Sequence, residues 1–378
     1  MRDRRITAGQ RPVRIAGITL AAALAAGLAA CSSSSSGAGS TGTAAPGALA
    51  AVGASAAPNV SFYKGKTITW DVPSAPGASF YTSATVLAPL VGKYLGATVN
   101  IVSIPAGATI AGQDQAAAAP GDGLTIGTLN VSANVTNAAT KQPGINFDMT
   151  KVGFIAGLPI NPDVFVTSPS SKYQSFASLT QGQPSITATD YPGSIDVLEK
   201  AMFGAYGIKA KLISGYADVP SQVAGFLRGD AQFAINQVPG YAPPIEAGKA
   251  VPLLITGPVA AGSAGYTKLK DVPTIASFAT EHPPATAAQK QSVTAMEALF
   301  GASAVNQVFF TPAGTPASLT AALGLAFKSA EQNPATASAF TKANLAVGYL
   351  SSAQAAAAIN KDVQMEGALA QAIASFQG

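Results

Sequence analysis

Cysteine is almost missing from these 378 residues, with Cys31 standing alone. One thiol makes no intramolecular disulfide, no CxxC redox site and no cysteine zinc cluster. Histidine is equally scarce, with His282 alone. A Ser-His-Asp hydrolase would have to use it, yet it sits in the loop-like TEHPPAT and no GxSxG elbow occurs. Charge is thin, at 11% Asp, Glu, Lys and Arg. The net charge of +4 comes from residues 1–30, which hold five arginines and one aspartate. The rest of the chain balances 17 basic against 17 acidic residues and keeps one arginine, Arg228. Nucleic-acid binding needs clustered Lys and Arg to neutralise phosphates, so that class is excluded. Beyond the N-terminal segment, no apolar run has the length of a membrane span.

What is present begins with the neighbours of Cys31. MRDRRITAGQRPVR is basic, and IAGITLAAALAAGL, residues 15–28, is apolar and uncharged. A basic start, a short apolar stretch and small residues at its end make a secretory signal peptide over residues 1–30. Leu28-Ala29-Ala30-Cys31 resembles a bacterial lipobox. That resemblance makes Cys31 the lipidated first residue of the mature chain, anchored outside the cell membrane. The plainer alternative is a cleaved signal that leaves a thiol behind. Residues 32–58 are rich in Ser, Gly, Ala and Thr, without charge or aromatic rings. They cannot build a core, so residues 31–58 read as a flexible tether. Its root-mean-square reach is about 25–30 Å.

From Asn59 onward, strand-like and helix-like runs alternate. KTITWDV, ATVNIVSI, LTIGTL, VGFIAGL, DVFVTS, PSITATD, AKLISGY, AQFAIN and AVPLLITG read as strands. TSATVLAPLVGKYLG, IAGQDQAAAA, FASLTQG, SIDVLEKAMFGAYG and VPSQVAGFLRG read as helices, with Ser194 as an N-cap. This alternation predicts α/β layers with largely parallel sheets. Towards the C-terminus the pattern predicts three helices, at 316–332, 333–345 and 352–376, and no strand.

The turns after the strands share a chemistry. Pro76-Gly77-Ala78-Ser79, Ala106-Gly107-Ala108-Thr109 and Asp190-Tyr191-Pro192-Gly193-Ser194 each precede a helix. In open α/β sheets ligands sit outside the carboxyl ends of strands. Helix N-termini there offer free N–H groups and partial positive charge, enough for a small carboxylate without arginine. Glycine admits close backbone approach, and Ser79, Thr109 and Ser194 add hydroxyls. Taken one at a time, these are also ordinary turn residues.

Their order resembles a known family. FYKGKTITWDVPSAPGASFYTSATVLAPLVGKYLG, VNIVSIPAGATIAG and PGDGLTIGTLN follow the opening of the tripartite tricarboxylate transporter substrate-binding proteins, the Bug family. The family's own phrases are Pro-Pro-Gly-Gly, Gly-Ala-Gly-Gly and Asp-Gly-Tyr-Thr-Leu. TDYPGSIDVLEKAMFGAYGI, LISGYADVPSQVAGFLRGDAQFAINQ, EAGKAVPLLITG, KDVPTIASF and FFTPAGTPASLTAAL continue the likeness from residue 62 to about 350.

The resemblance implies a two-lobed type II periplasmic-binding-protein fold with a helical C-terminal part. Lobe 1 would be 59–162 plus 252–378, wrapped by the C-terminal helices, and lobe 2 would be 163–251. A small organic carboxylate would lie between Pro76, Gly77, Ala78, Ser79, Ala106, Gly107, Ala108, Thr109 and Asn130 on one side and Tyr191, Gly193, Ser194 and Tyr216 on the other. Tyr81, Tyr191 and Tyr216 either stack on a flat ligand or serve as core and rim residues. Membrane permease subunits would be the partner, with no cofactor, metal or catalytic residue. The chain departs from the family pattern at Ala78, Tyr81, Ala108 and Ala217-Asp218, and it lacks a histidine after the Gly-Ser helix start. Tyr81 stands where the family carries an aspartate, which argues against an amino-acid ligand. The competing functions are a ligand-sensing surface lipoprotein that engages a receptor and, weakest, a hydrolase.

Overall fold

The structure is a computed structural model that describes residues 56–106, 109–181, 185–189, 193–216, 219–259, 261–301 and 304–374. The expected signal peptide, Cys31 and almost all of the tether lie outside these residues, as do Gly107, Ala108 and Tyr191.

The chain begins with one 3-10 turn, Val60–Tyr63, and then alternates as β1 (Thr67–Val72), α1 (Ser79–Leu95), β2 (Thr98–Ser103), α2 (Ile110–Ala118), β3 (Thr125–Asn130) and α3 (Val131–Ala139). Next come β4 (Gly153–Pro159), β5 (Asp163–Thr167), α4 (Phe176–Leu179), β6 (Ser185–Thr189), α5 (Ser194–Tyr206), β7 (Lys209–Ile213), α6 (Val219–Arg228), β8 (Phe233–Gln237), α7 (Val238–Glu246) and β9 (Val251–Ile255). The remainder holds α8 (Tyr266–Leu269), α9 (Ile275–Glu281), α10 (Ala287–Phe300), β10 (Val305–Thr311), α11 (Ala317–Glu331), α12 (Pro334–Lys342), β11 (Leu350–Ser351), α13 (Ser352–Gln364) and α14 (Glu366–Ala374).

Two sheets result, in the orders β11-β4-β10-β3-β1-β2 and β7-β6-β8-β5-β9. The expectation of largely parallel sheets needs correction. Only β2-β1-β3 and β7-β6-β8 run parallel. β10, β11 and β5 pair antiparallel with their neighbours. β5 enters the second sheet straight from β4 of the first, across 160–162, with no helical crossover to turn it, whereas β10 returns to the first sheet only after α8, α9 and α10.

The C-terminal region also differs from expectation. It contains β10, a strand inside the first sheet and buried along its whole length. Phe309 meets Trp70 and Phe327 on one face, at centroid distances of 5.1 and 4.6 Å. Phe310 stacks on Phe147 at 5.6 Å on the other. Its ring fills the space where any side chain on Gly127 would go, so β3 needs glycine there. The long helix expected over 352–376 breaks at Met365 into α13 and α14.

One core lies between the first sheet and α1, α11 and α12, with Trp70 at its centre. A second is continuous from the first sheet to the second, through α3, α5, α10, α13 and α14. A third lies beneath α6 and α7. The C-terminal helices therefore do not confine themselves to one sheet, since α14 packs against both α3 and α5.

The chain passes from the first sheet to the second through Ile160, Asn161 and Pro162. Asp163 N–H donates to Thr256 Oγ1 at 2.9 Å, and Thr256 N–H returns a bond to the Asp163 carbonyl at 3.0 Å. Ile160 N–H donates to the Ala304 carbonyl at 3.0 Å, and Ala346 N–H to Asn161 Oδ1 at 2.7 Å. The outgoing crossing is thus tied to both ends of the returning segment.

Candidate functional site

In the chain β1 is followed by α1, β2 by α2 and β6 by α5, while β3 runs directly into α3. Ser103 Oγ donates to the Ser74 carbonyl at 2.8 Å, and Ile104 N–H to the Val72 carbonyl at 2.8 Å, so the first two turns are tied together. Gly112 lets α2 lie directly on Pro73 and the Ile104 carbonyl.

The helix starts at these turns are not alike. α1 begins after Ala78, α2 after Thr109 and α5 after Gly193, and none of the three has a side-chain cap. α7, α8 and α11 also start without a side-chain cap, whereas α4, α9, α10, α12 and α13 are closed by Ser175, Thr274, Thr286, Asn333 and Ser351. α3 is also closed, because Asn130 Oδ1 accepts from Ala133 N–H at 3.3 Å. A helix start without such a cap offers its first N–H groups and the positive end of its dipole to a ligand. Gly193, not Ser194, occupies the cap position of α5, so the expected Ser194 cap is corrected.

Of the expected residues, Pro76, Gly77 and Ala78 are exposed, Ser79 is half-buried at the first turn of α1, and Ala106 is exposed. Thr109 and Asn130 come together, with Asn130 Nδ2 donating to Thr109 Oγ1 at 3.3 Å. Tyr81 is half-buried and packs on the core beneath α1. Tyr216 lies against Gly225 of α6, and its hydroxyl donates to Asp230 Oδ2 at 3.3 Å. Burial, and then the Asp230 charge, hold its phenol above the usual range. Gly193 and Ser194 open α5.

The sequence reading missed the buried amides behind these turns. Gln113 is fully buried, and its Nε2 donates to the Thr109 carbonyl at 3.2 Å and to Thr109 Oγ1 at 3.3 Å. Its Oε1 accepts from Asn130 N–H at 3.2 Å and Asn134 Nδ2 at 2.9 Å. Ser132 Oγ reaches Asn306 Oδ1 at 2.9 Å, and Ser83 Oγ donates to Gln307 Oε1 at 2.7 Å. On the second sheet, Gln222 Nε2 donates to Thr189 Oγ1 at 3.0 Å and to the Ile235 carbonyl at 3.2 Å. The alanine-rich IAGQDQAAAA holds two glutamines, Gln113 and Gln115, and nothing in the sequence marks which is buried.

Two ion pairs form near these turns among the described residues. Lys200 pairs with Asp196 at 2.6 Å in the first half of α5, and Arg228 with Asp230 at 2.8 Å. Asp71, at the end of β1, is pushed up by burial, partly offset by a bond from Gln115. Among the described residues no group of three or more His, Cys, Asp and Glu side chains is arranged to hold a metal ion. None of the described helices is long and apolar enough to cross a membrane. Two surface hollows of about 410 and 440 Å³ lie along α10 and α14. Neither contains an expected site residue, and their walls offer no converging set of helix starts.

Among curated proteins, none matches the chain. Solved structures match its fold. The periplasmic binding protein BugD shares 15% identity at a TM-score of 0.61, over 84% of this chain and 100% of that one. MatC of Rhodopseudomonas palustris, with bound malate, shares 16% at 0.60, over 81% and 99%. Rpa4515 of R. palustris, with adipate, shares 16% at 0.61, over 82% and 97%. At this identity the likeness establishes the fold alone. The model of the tripartite tricarboxylate transporter family receptor, TctC, matches residues 84–374, and the chain belongs to that family of solute-binding receptors.

Proposed function

We propose that this protein captures a small organic carboxylate between its two sheets and delivers it to a tripartite tricarboxylate-type transporter. One lobe holds the first sheet and the other the second, whose strand β9 moves the expected boundary from 251/252 to after Ile255, and the lobes move about the crossings at Ile160–Pro162 and Thr256. The observation that carries the reading is the set of open helix starts. α1, α2 and α5 leave their first N–H groups without side-chain caps at the carboxyl ends of parallel strands. Such groups hold a carboxylate with no cation, in keeping with Lys200 and Arg228 being paired elsewhere. The malate and adipate held by the structural relatives are acids of this class.

Capture and release leave the ligand chemically unchanged. His282 ends α9 with its ring 4.6 Å from that of Phe278, in no arrangement suited to acyl transfer. Closure of the lobes would give the transporter a surface that differs between empty and loaded protein. Cys31, lipidated, would hold the domain at the membrane through the 32–58 tether.

Thermal unfolding against mono-, di- and tricarboxylates tests the reading. An acid at a hundred times its dissociation constant adds about 2.7 kcal/mol to stability, which moves the midpoint by a few degrees. A shift with one class of acid supports the proposal. No shift with any acid overturns it.

A further inference from the structure

We infer that Gln113 and Gln222 are paired positioning residues, one in each half of the site, whose buried amides fix the turns that receive the ligand. The inference rests on the carboxylate-binding reading and goes on to name residues that set its geometry.

The two glutamines occupy the same place in the two sheets. β2-β1-β3 and β7-β6-β8 are matching parallel trios, and α2 and α6 each follow the outer strand of one trio. Gln113 is the fourth residue of α2 and Gln222 the fourth of α6. Both are fully buried, and both turn their amides towards the carboxyl end of the third strand. Gln113 Oε1 accepts from the Asn130 N–H, where β3 ends. Gln222 Oε1 accepts from Asn236 Nδ2 at 2.8 Å, and Asn236 Oδ1 accepts from Gln237 N–H at 2.8 Å, where β8 ends.

What each amide holds on its donor side reaches the helix starts. Gln113 grips Thr109, which opens α2 at φ 81°. That conformation is costly for a β-branched residue and persists only when its surroundings enforce it. Two bonds from Gln113 and one from Asn130 supply the enforcement. Gln222 grips Thr189, the fully buried last residue of β6, four positions before the glycine that opens α5. A change at either glutamine therefore alters the aim of a helix start without touching the ligand. Four saturated bonds on a buried amide exceed what α2 alone would need, since an apolar side chain would fill the same space without desolvating a polar group.

The test uses the full chain as wild type, Gln113→Met, Gln222→Met and Thr336→Val. The last removes a buried hydrogen bond at the start of α12, away from the strand ends. Malate and adipate are titrated calorimetrically, and backbone hydrogen exchange is followed without ligand. Each glutamine variant is expected to weaken the better acid at least about tenfold. Exchange should rise over 104–110 in Gln113→Met and over 185–194 in Gln222→Met. Thr336→Val should lower the melting temperature and leave affinity within about twofold. In a Thr109→Gly background, where φ 81° carries no conformational cost, Gln113→Met should weaken binding less, which a purely structural role would not produce. If Gln113→Met does not fold, Gln113→Asn, too short to span from Thr109 to Asn134, is read in the same way. Glutamine variants that bind like Thr336→Val, or turns that keep their protection, overturn the inference. If the wild type binds neither acid, the acid that raises its melting midpoint most is titrated in their place; if no acid raises it the ligand reading fails, while the exchange measurements still decide whether the glutamines hold the turns.

Discussion

Gly193 opens α5 at φ 100° and ψ −141°, a backbone region that side-chain-bearing residues avoid. Nothing lies within 4 Å of where its Cβ would sit, so an alanine there would meet no neighbour and only the backbone would object. Gly193→Ala is expected to cost about 1–2 kcal/mol in urea unfolding, and to weaken ligand binding through a displaced helix start. Three residues later, Asp196 sits in the first turn of α5 and pairs with Lys200 at 2.6 Å. An acid at that position offsets part of the positive helix end. Asp196→Asn should strengthen carboxylate binding about two- to fivefold in a calorimetric titration, since such helix-end charges are worth 0.3–1 kcal/mol. Unchanged or weaker binding would mean that the α5 start does not face the ligand's charge. Tyr216 shows what a single residue type hides. Its ring could be read from sequence as a stacking surface, but glycine at 225 gives it a seat on α6 and Asp230 takes its hydroxyl.

Asn130 joins two elements, ending β3 and capping α3, while its amide nitrogen bonds Thr109. Asn130→Ala should cost about 1 kcal/mol of stability for the lost cap, seen as a lower urea midpoint, and should loosen the α2 turn as well. The alternation of β1 to α2 was legible because β2 alternates exposed and half-buried residues, α1 has an apolar face, and α2 is an alanine-rich run stopped by Pro120. β10 was not legible for the opposite reason. VNQVFFT is buried on both faces, so it shows no alternation, and it follows a helix instead of a recognised turn. α3 is nine residues long and rich in Asn, Val and Thr, poor helix formers that are held by tertiary contacts. α10 did carry a readable signal, the Thr286–Gln289 capping box, which the structure forms in both directions. The strand-end turns at 76–79, 106–109 and 190–194 were visible as motifs. The amides of Gln113 and Gln222 were not, because a buried glutamine is indistinguishable from a surface one until the third strand is in place.

Among the described residues several acids are buried, and Lys361 offsets the burial of Asp362 only in part. Burial pushes Asp163 up to about 8 and Asp362 up to about 7, and it holds Glu331 well above the ordinary carboxylate range. In the unfolded chain such groups release their protons near pH 4. Between that pH and the folded values the folded chain holds the extra protons, so stability must fall as pH rises through the window. The melting temperature should be higher at pH 5 than at pH 8.5, and Asp163→Asn should flatten the slope. A melting temperature that climbs with pH would contradict the assignment. The balanced charge of the chain after residue 30 gives a second expectation. On the proposed reading neutral N–H donors hold the ligand, so raising salt from 0.02 to 0.3 M should change affinity by less than about threefold, whereas a site built on exposed lysine or arginine would be screened.

The most direct measurement is a crystal structure of the protein grown with the acid that stabilises it most. The expected result is one ligand between the sheets, its carboxylate oxygens accepting from N–H groups at the first turns of α1, α2 or α5. A ligand held instead on lysine or arginine side chains, or seated in the hollows along α10 and α14, would contradict the account.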